Sequence, residues 1–241
     1  PILEEGTLVI VISQSGETAD TLAALRMAKA KGCRILSIVN VVGSTIANES
    51  DDVLYTWAGP EIAVASTKAY STQLAVIYMI ALYMADQLGT VPEDDMARYM
   101  ADLQRLPDLA EAALADKETI QYLASRYFNA HDLYFIGRNV DYAASLEASL
   151  KLKEISYIHS EAYTAGELKH GPISLIEDGT LVIAIATYEK LFDKMMSNVR
   201  EVKARGAVVL GITVQDKEEA LKQETDFQFC VPKITDFMLP S

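Results

Sequence analysis

Cysteine is scarce. The 241 residues hold two, Cys33 and Cys230, each in or beside an apolar run and neither at a metal-ligand spacing. This excludes a disulfide framework and a cysteine-bound metal, and two buried free thiols in a reducing cytosol are expected. No cofactor or metal is implied. Also missing is any block of one charge sign. The formal net charge is −13, with Asp and Glu spread along the chain. That balance argues against nucleic acid or an anionic membrane as the main partner. The start, Pro1-Ile2-Leu3-Glu4-Glu5, has neither the basic region nor the apolar stretch of a signal peptide. The uncharged run Ala69 to Ala85 has 17 residues and includes Ser71, Thr72 and Gln73. A membrane span needs about 20 predominantly apolar residues, so a buried central helix is expected there.

What is present is an ordinary globular balance, 50% hydrophobic and 23% charged. Short β-branched runs alternate with helical patterns. Strands are expected at 7–12, 34–39, 53–57, 132–136, 181–185, 207–212 and 227–231. Helices are expected at 18–31 (Leu22, Leu25 and Met27 toward the core, Gly32 closing it), 62–88, 140–157 and 191–205. A helical stretch from 92 to 129 is expected to break at Pro107. Strands alternating with such helices imply an α/β fold with parallel sheets covered on both sides.

The chain also repeats itself. Gly6-Thr7-Leu8-Val9-Ile10-Val11-Ile12 matches Gly179-Thr180-Leu181-Val182-Ile183-Ala184-Ile185 at an offset of 173. Ala30-Lys31-Gly32 matches Ala204-Arg205-Gly206, and Asp52 to Tyr55 matches Asp226 to Phe229, both at 174. Two copies of one α/β unit are expected: 1–91, a helical connector 92–123, and 124–241. The second copy opens with a strand and helix that the first lacks. The first carries a long helix after its third strand, where the second ends. Both copies are therefore expected to be incomplete.

Strand 7–12 runs into Ser13-Gln14-Ser15-Gly16-Glu17-Thr18, and a helix follows. The carboxyl end of a parallel strand is where open α/β sheets bind ligands. The helix N-terminus adds free N–H groups and a favourable dipole for an anion. Ser13, Ser15 and Thr18 supply three hydroxyls, and Gly16 lets the backbone come close. With no Lys or Arg, the loop is neither a Walker loop nor a dinucleotide fingerprint. A plain helix cap by Thr18 or Ser15 is the competing reading, but a cap needs one hydroxyl. The second copy has Ala186-Thr187-Tyr188-Glu189 at this place, so one phosphate site per chain is expected.

On helix 140–157, Glu147, Lys151 and Glu154 share a face at i, i+4 and i+7. Alone they read more readily as a solvated face with a routine i,i+4 pair. The following segment, 155–172, read as a loop, adds His159, Glu161, Glu167 and His170. Enolisation of a sugar needs a carboxylate base, a cation for the developing oxyanion and an acid to open the ring. Glu154, Lys151 and His170 are of the right types.

Four segments carry a resemblance. They are Ser13 to Thr21, Val64-Ala65-Ser66-Thr67-Lys68-Ala69, Leu150-Lys151-Leu152-Lys153-Glu154-Ile155-Ser156-Tyr157-Ile158-His159, and Gly166-Glu167-Leu168-Lys169-His170-Gly171-Pro172. Together, over the whole chain and in order, they resemble the isomerase half of the glucosamine-6-phosphate synthases, the glutamine–fructose-6-phosphate aminotransferases. The resemblance implies two tandem sugar-isomerase (SIS) units of doubly wound type. It implies fructose 6-phosphate as substrate, glucosamine 6-phosphate as product, and the cytoplasm as location. Ser13, Gln14, Ser15 and Thr18 would hold the phosphate, and Val64 and Ser66 would contact the sugar. Glu154 would move the proton between C1 and C2, Lys151 would stabilise charge, and Glu147 would support them. His170 would open the ring and reach into the neighbouring subunit of a homodimer.

The sequence departs from that family in lacking a glutaminase domain, the start of the first unit and the C-terminal tail with its Schiff-base lysine. The expectation is a parent aminotransferase and a poorly active fragment. Another SIS-type isomerase, a deaminase or deglycase, or a non-catalytic sugar-phosphate sensor are the alternatives. The Leu-Lys-Leu-Lys-Glu and Lys-His-Gly-Pro segments favour the synthase.

Overall fold

The computed structural model describes residues 3–115 and 117–239. Pro1 and Ile2, which begin the stretch read for a signal peptide, lie outside the described residues, as do Asp116, Pro240 and Ser241. The chain separates into two compact units, divided after Pro92.

The first unit runs β1 (Leu8–Ser13), α1 (Ala19–Ala30), β2 (Arg34–Val39), α2 (Thr45–Glu49), β3 (Asp52–Tyr55) and α3 (Lys68–Leu88). Its three strands pair in parallel in the order β1-β2-β3. Leu25 and Ala28 of α1 are fully buried against Val11, Ile35 and Val39, whereas Met27, expected in the core, faces outward. Burial of one Leu or Ile contributes about 1.5–3 kcal/mol. An exposed ion pair contributes about 0–1 kcal/mol. Packing therefore holds α1 on the sheet, and so fixes the loop that precedes it. Gly32 ends α1 at φ +76° as the sequence implied. The long helix begins at Lys68 rather than at 62, because residues 62–67 are an exposed loop with Ile62 and Val64 about nine-tenths accessible.

The second unit runs α4 (Glu93–Ala115), α5 (Glu118–Tyr127), β4 (Asp132–Gly137), α6 (Val140–Ser156), β5 (His159–Thr164), β6 (Leu181–Ile185), α7 (Phe192–Lys203), β7 (Val208–Val214), α8 (Glu218–Lys222) and β8 (Phe227–Val231). Its five parallel strands are ordered β5-β4-β6-β7-β8. One face buries Ile136, Val182 and Val209 under Met195, Val199 and Val202 of α7. The other buries Leu133, Phe135 and Leu181 under Leu123 of α5 and Leu152 of α6. An apolar cavity of ≈ 480 Å³ lies on this second face, between α5, α6 and the sheet. The segment read as a connector packs within this unit: Asp102 of α4 accepts from the N–H and hydroxyl of Thr235. Pro107 does not break α4. It lies on an exposed stretch, where water can meet the Leu103 carbonyl that the missing N–H leaves open. Residues 159–164, read as loop, form the edge strand β5. Cys33 is buried and Cys230 half-buried, and neither forms a disulfide.

The repeat is built into both units. Leu8 pairs with Arg34 and Leu181 with Val208, the same register at the expected offsets. At the third strand, Asp226 occupies the place of Asp51, not of Asp52. The Asp51 carboxylate accepts the Ile35 N–H at 2.7 Å, and that of Asp226 the Val209 N–H at 2.8 Å. The same clamp joins helix to strand in each unit. Arg26 pairs with Glu49 and Lys29 with Asp51; Arg200 pairs with Glu224 and Lys203 with Asp226.

Candidate functional site

β1 delivers its carboxyl end directly into the loop 13–18, and α1 starts at Ala19. Ser13 is buried, and its Oγ accepts the Gly16 N–H at 3.0 Å and lies 3.1 Å from Thr18 Oγ1. Ser15 Oγ accepts the Glu17 N–H at 3.2 Å. Thr18 is the residue before the helix, yet its side chain does not cap it. The cap reading therefore does not describe this loop. Ser13 shapes the turn from inside, while Ser15 is half-buried and Thr18 exposed at its rim. The first-turn amides of α1 have no acceptor within the helix, by geometry, and are suited to an anion.

A side chain at Gly16 would be both strained and crowded. Its φ is +69°, and an added Cβ would stand 2.0 Å from Ser44 Oγ. The segment after β2 braces the loop from below. Ile46 N–H donates to the Gly16 carbonyl, and Asn40 N–H to that of Gln14. The Glu17 carboxylate accepts from Thr45 N–H at 2.7 Å and Thr45 Oγ1 at 2.8 Å. The Thr45 amide holds the Glu17 carboxyl below its ordinary value, so this negative charge is committed beside the loop rather than free within it. Asn40 is the node that the sequence reading missed. Its Oδ1 accepts from Thr56 Oγ1 and the Ala58 N–H, and its Nδ2 donates to the Gly59 carbonyl. One asparagine thus ties the 13–18 loop to the segment that leads to Val64 and Ser66. Val64 is fully outside any core, and Ser66 Oγ donates to Glu61 at 3.1 Å.

In the second unit, α6 brings three of the expected residues together. Lys151 Nζ lies 2.6 Å from Glu154 and 3.6 Å from Glu147. The hydrogen bond to Glu154, with Glu147 beside it, raises the Lys151 ammonium above its ordinary value. An ammonium so placed can stabilise negative charge that develops beside it. His170 lies on a different element, the turn Leu168–His170, with Nε2 3.9 Å from Glu167. On β5, His159 Nδ1 is 2.6 Å from Asp132, and Tyr163 donates to Glu161, a contact that pushes the Tyr163 hydroxyl up to about 12.

The counterpart of the 13–18 loop in this unit is occupied by the protein itself. The Asp141 carboxylate accepts from the Thr187 N–H at 3.0 Å, the Tyr188 N–H at 3.1 Å and Thr187 Oγ1 at 2.5 Å. Burial raises the Asp141 carboxyl above its ordinary value, and these three hydrogen bonds oppose that rise.

The SIS domain profile matches residues 1–83 and 126–237. The chain belongs to the SIS-domain family. This SIS chain is 54% identical over 240 residues to the glutamine–fructose-6-phosphate aminotransferase (isomerizing) of Clostridium tetani, covering 100% of itself and 39% of that protein. It is 58% identical over 215 residues to the enzyme of the same name from Caldanaerobacter subterraneus subsp. tengcongensis, covering 89% of itself and 35% of that protein. The SIS chain therefore spans well under half of the curated relatives it matches. Among solved structures, the C-terminal domain of glucosamine-fructose-6-phosphate aminotransferase from Francisella tularensis superposes with a TM-score of 0.95 at 36% identity, covering 100% of this chain and 68% of that one. Among the described residues, no helix is long and apolar enough to cross a membrane.

Proposed function

We propose that this chain is the isomerase part of a glutamine–fructose-6-phosphate aminotransferase, which makes glucosamine 6-phosphate from fructose 6-phosphate and glutamine-derived ammonia. The reading is supported by similarity over the whole of this chain to part of aminotransferases of that name. The observation that carries it is the charged triad on α6, in which Lys151 pairs with Glu154 and Glu147.

The 13–18 loop holds the 6-phosphate through Ser13, Gln14, Ser15, Thr18 and the α1 amides, and Val64 and Ser66 flank the sugar. His170 relays the proton that the C2 hydroxyl loses to the ring oxygen, so the C2–O bond to the ring breaks and the ring opens. Ammonia condenses with the C2 ketone and water leaves. At the resulting imine Glu154 removes a proton from C1, that electron pair forms a C1–C2 double bond, and the C2–N pair moves onto the nitrogen, which takes a proton. The same carboxyl returns its proton at C2 while the C1 hydroxyl gives up its own, balancing the one the nitrogen took, which leaves an amine at C2 and an aldehyde at C1. Lys151 stabilises the charge that develops in between, and Glu147 keeps Lys151 in place. His170 acts from the partner subunit of a homodimer, and the parent protein supplies ammonia from a glutaminase domain. Activity is placed in the cytoplasm.

The test is Glu154→Gln in the full-length protein. A general base contributes about 100- to 10,000-fold, so isomerisation should fall by that factor while fructose 6-phosphate binding, measured by calorimetry, stays. Unchanged turnover would remove Glu154 from the role.

A further inference from the structure

The second unit keeps the strand order that creates a ligand crevice in open α/β sheets. Its sheet order places β4 between β5 and β6, so the chain leaves β4 on one side and returns on the other. Such a reversal marks where open α/β sheets take ligands, outside the carboxyl ends of the two strands. The loop after β6 opens at this point, and the repeat puts Ala186 in the place of Ser13. Into it reaches the carboxylate of Asp141, from the first turn of α6. Asp141 is 4% exposed.

An acidic residue in a first turn ordinarily serves its own helix. Asp141 instead bonds amides 46 and 47 residues further on, and the Thr187 hydroxyl with them. The turn that permits this is specific. A Cβ on Gly137 would stand 2.5 Å from the Asp141 carbonyl group, so β4 can hand over to α6 this closely only through glycine. Two successive amides and a hydroxyl converging on an anion are the chemistry assigned to the first unit's loop for a phosphate oxygen.

We propose that Asp141 is a built-in anion that occupies the second unit's counterpart of the phosphate site and thereby limits the chain to one sugar-phosphate site. Removing the carboxylate opens the crevice to a free small anion, formate or inorganic phosphate. The inference takes its meaning from the phosphate reading of the first loop, but its test is read at different residues.

The test is an amide NMR titration of the 241-residue chain with sodium formate and with sodium phosphate, against chloride at equal ionic strength. In Asp141→Ala, the Thr187 and Tyr188 amide resonances should shift saturably with either anion. In the unsubstituted chain, and in Asp141→Asn, whose amide still fills the crevice, those resonances should stay. A folded Asp141→Ala whose Thr187 and Tyr188 amides ignore both anions overturns the proposal, and so does an equal response in Asp141→Asn. Should Asp141→Ala fail to fold in chloride, folding in formate supports the proposal and failure in both anions overturns it. The amides of residues 15–20 report separately. Silence there with phosphate, beside a response at Thr187 and Tyr188, would sink the phosphate reading of the first loop alone.

Discussion

One methyl group at Gly16 probes how tightly the loop is built. Alanine there must hold a positive φ, at about 1–2 kcal/mol, and overpack Ser44, at about 1–3 kcal/mol. Gly16→Ala should therefore lower stability in urea unfolding by about 2–5 kcal/mol, the sum of the two. Adding Ser44→Gly should recover the packing part and leave the backbone part. Equal stability of Gly16→Ala and the unsubstituted chain would mean the loop is looser than described. Asn40 is a positioning residue by the same kind of argument. Its side chain bonds to protein partners and so holds residues 56–59 against the loop. In the full-length protein, Asn40→Ala should raise KM for fructose 6-phosphate more than it lowers kcat. Asn40→Asp, which keeps the Oδ1 acceptor, should restore part of the loss. A pure kcat defect would place Asn40 elsewhere in the mechanism.

At the scale of elements, the repeated clamp makes a prediction about acid. The Ile35 N–H holds Asp51 below its ordinary value, and Arg26 and Arg200 do so for Glu49 and Glu224. Burial raises Asp226, but Lys203 and the Val209 N–H outweigh it. Carboxyls with lowered values in the folded state contribute stability above their unfolded values near about 4, and lose it as pH falls through the folded ones. Thermal midpoints should thus decline below about pH 4, and Asp51→Asn or Asp226→Asn should each flatten the decline. An unaltered slope in both would show the clamp to be idle. These same elements explain what the sequence made legible. Strands β1, β2, β4, β6 and β8 were readable because short runs rich in β-branched or aromatic residues between helices leave few alternatives, and the repeat cross-checked all of these but β4. β5 was not, because His159-Ser160-Glu161-Ala162-Tyr163-Thr164 is polar and pairs on one edge only, with β4. The one-residue slip at β3 was hidden because Asp51 and Asp52 are adjacent, and only the bond to Ile35 shows which one corresponds to Asp226. The charged triad was legible from helical spacing. Asn40, Glu17 and Asp141 were not, since their partners lie between 16 and 47 residues away in sequence.

For the whole molecule, the charge of −13 sets a condition on any anionic ligand. The loop has no Lys or Arg, so its attraction is local, from hydroxyls and amides, against a repulsive background. Salt screens the background over a Debye length of about 8 Å at physiological strength and leaves short hydrogen bonds intact. Affinity for fructose 6-phosphate should hold or improve as ionic strength rises, and a steep loss would indicate a basic site instead. The central claim is that residues 13–18 and the start of α1 hold the phosphate. Its most direct measurement is titration of fructose 6-phosphate into the chain while following backbone amides. The account predicts saturable shifts confined in the first unit to Ser15 through Asp20, lost in a Ser15→Ala, Thr18→Ala double variant that remains folded. Binding that leaves those amides unmoved, or survives the double substitution, contradicts it.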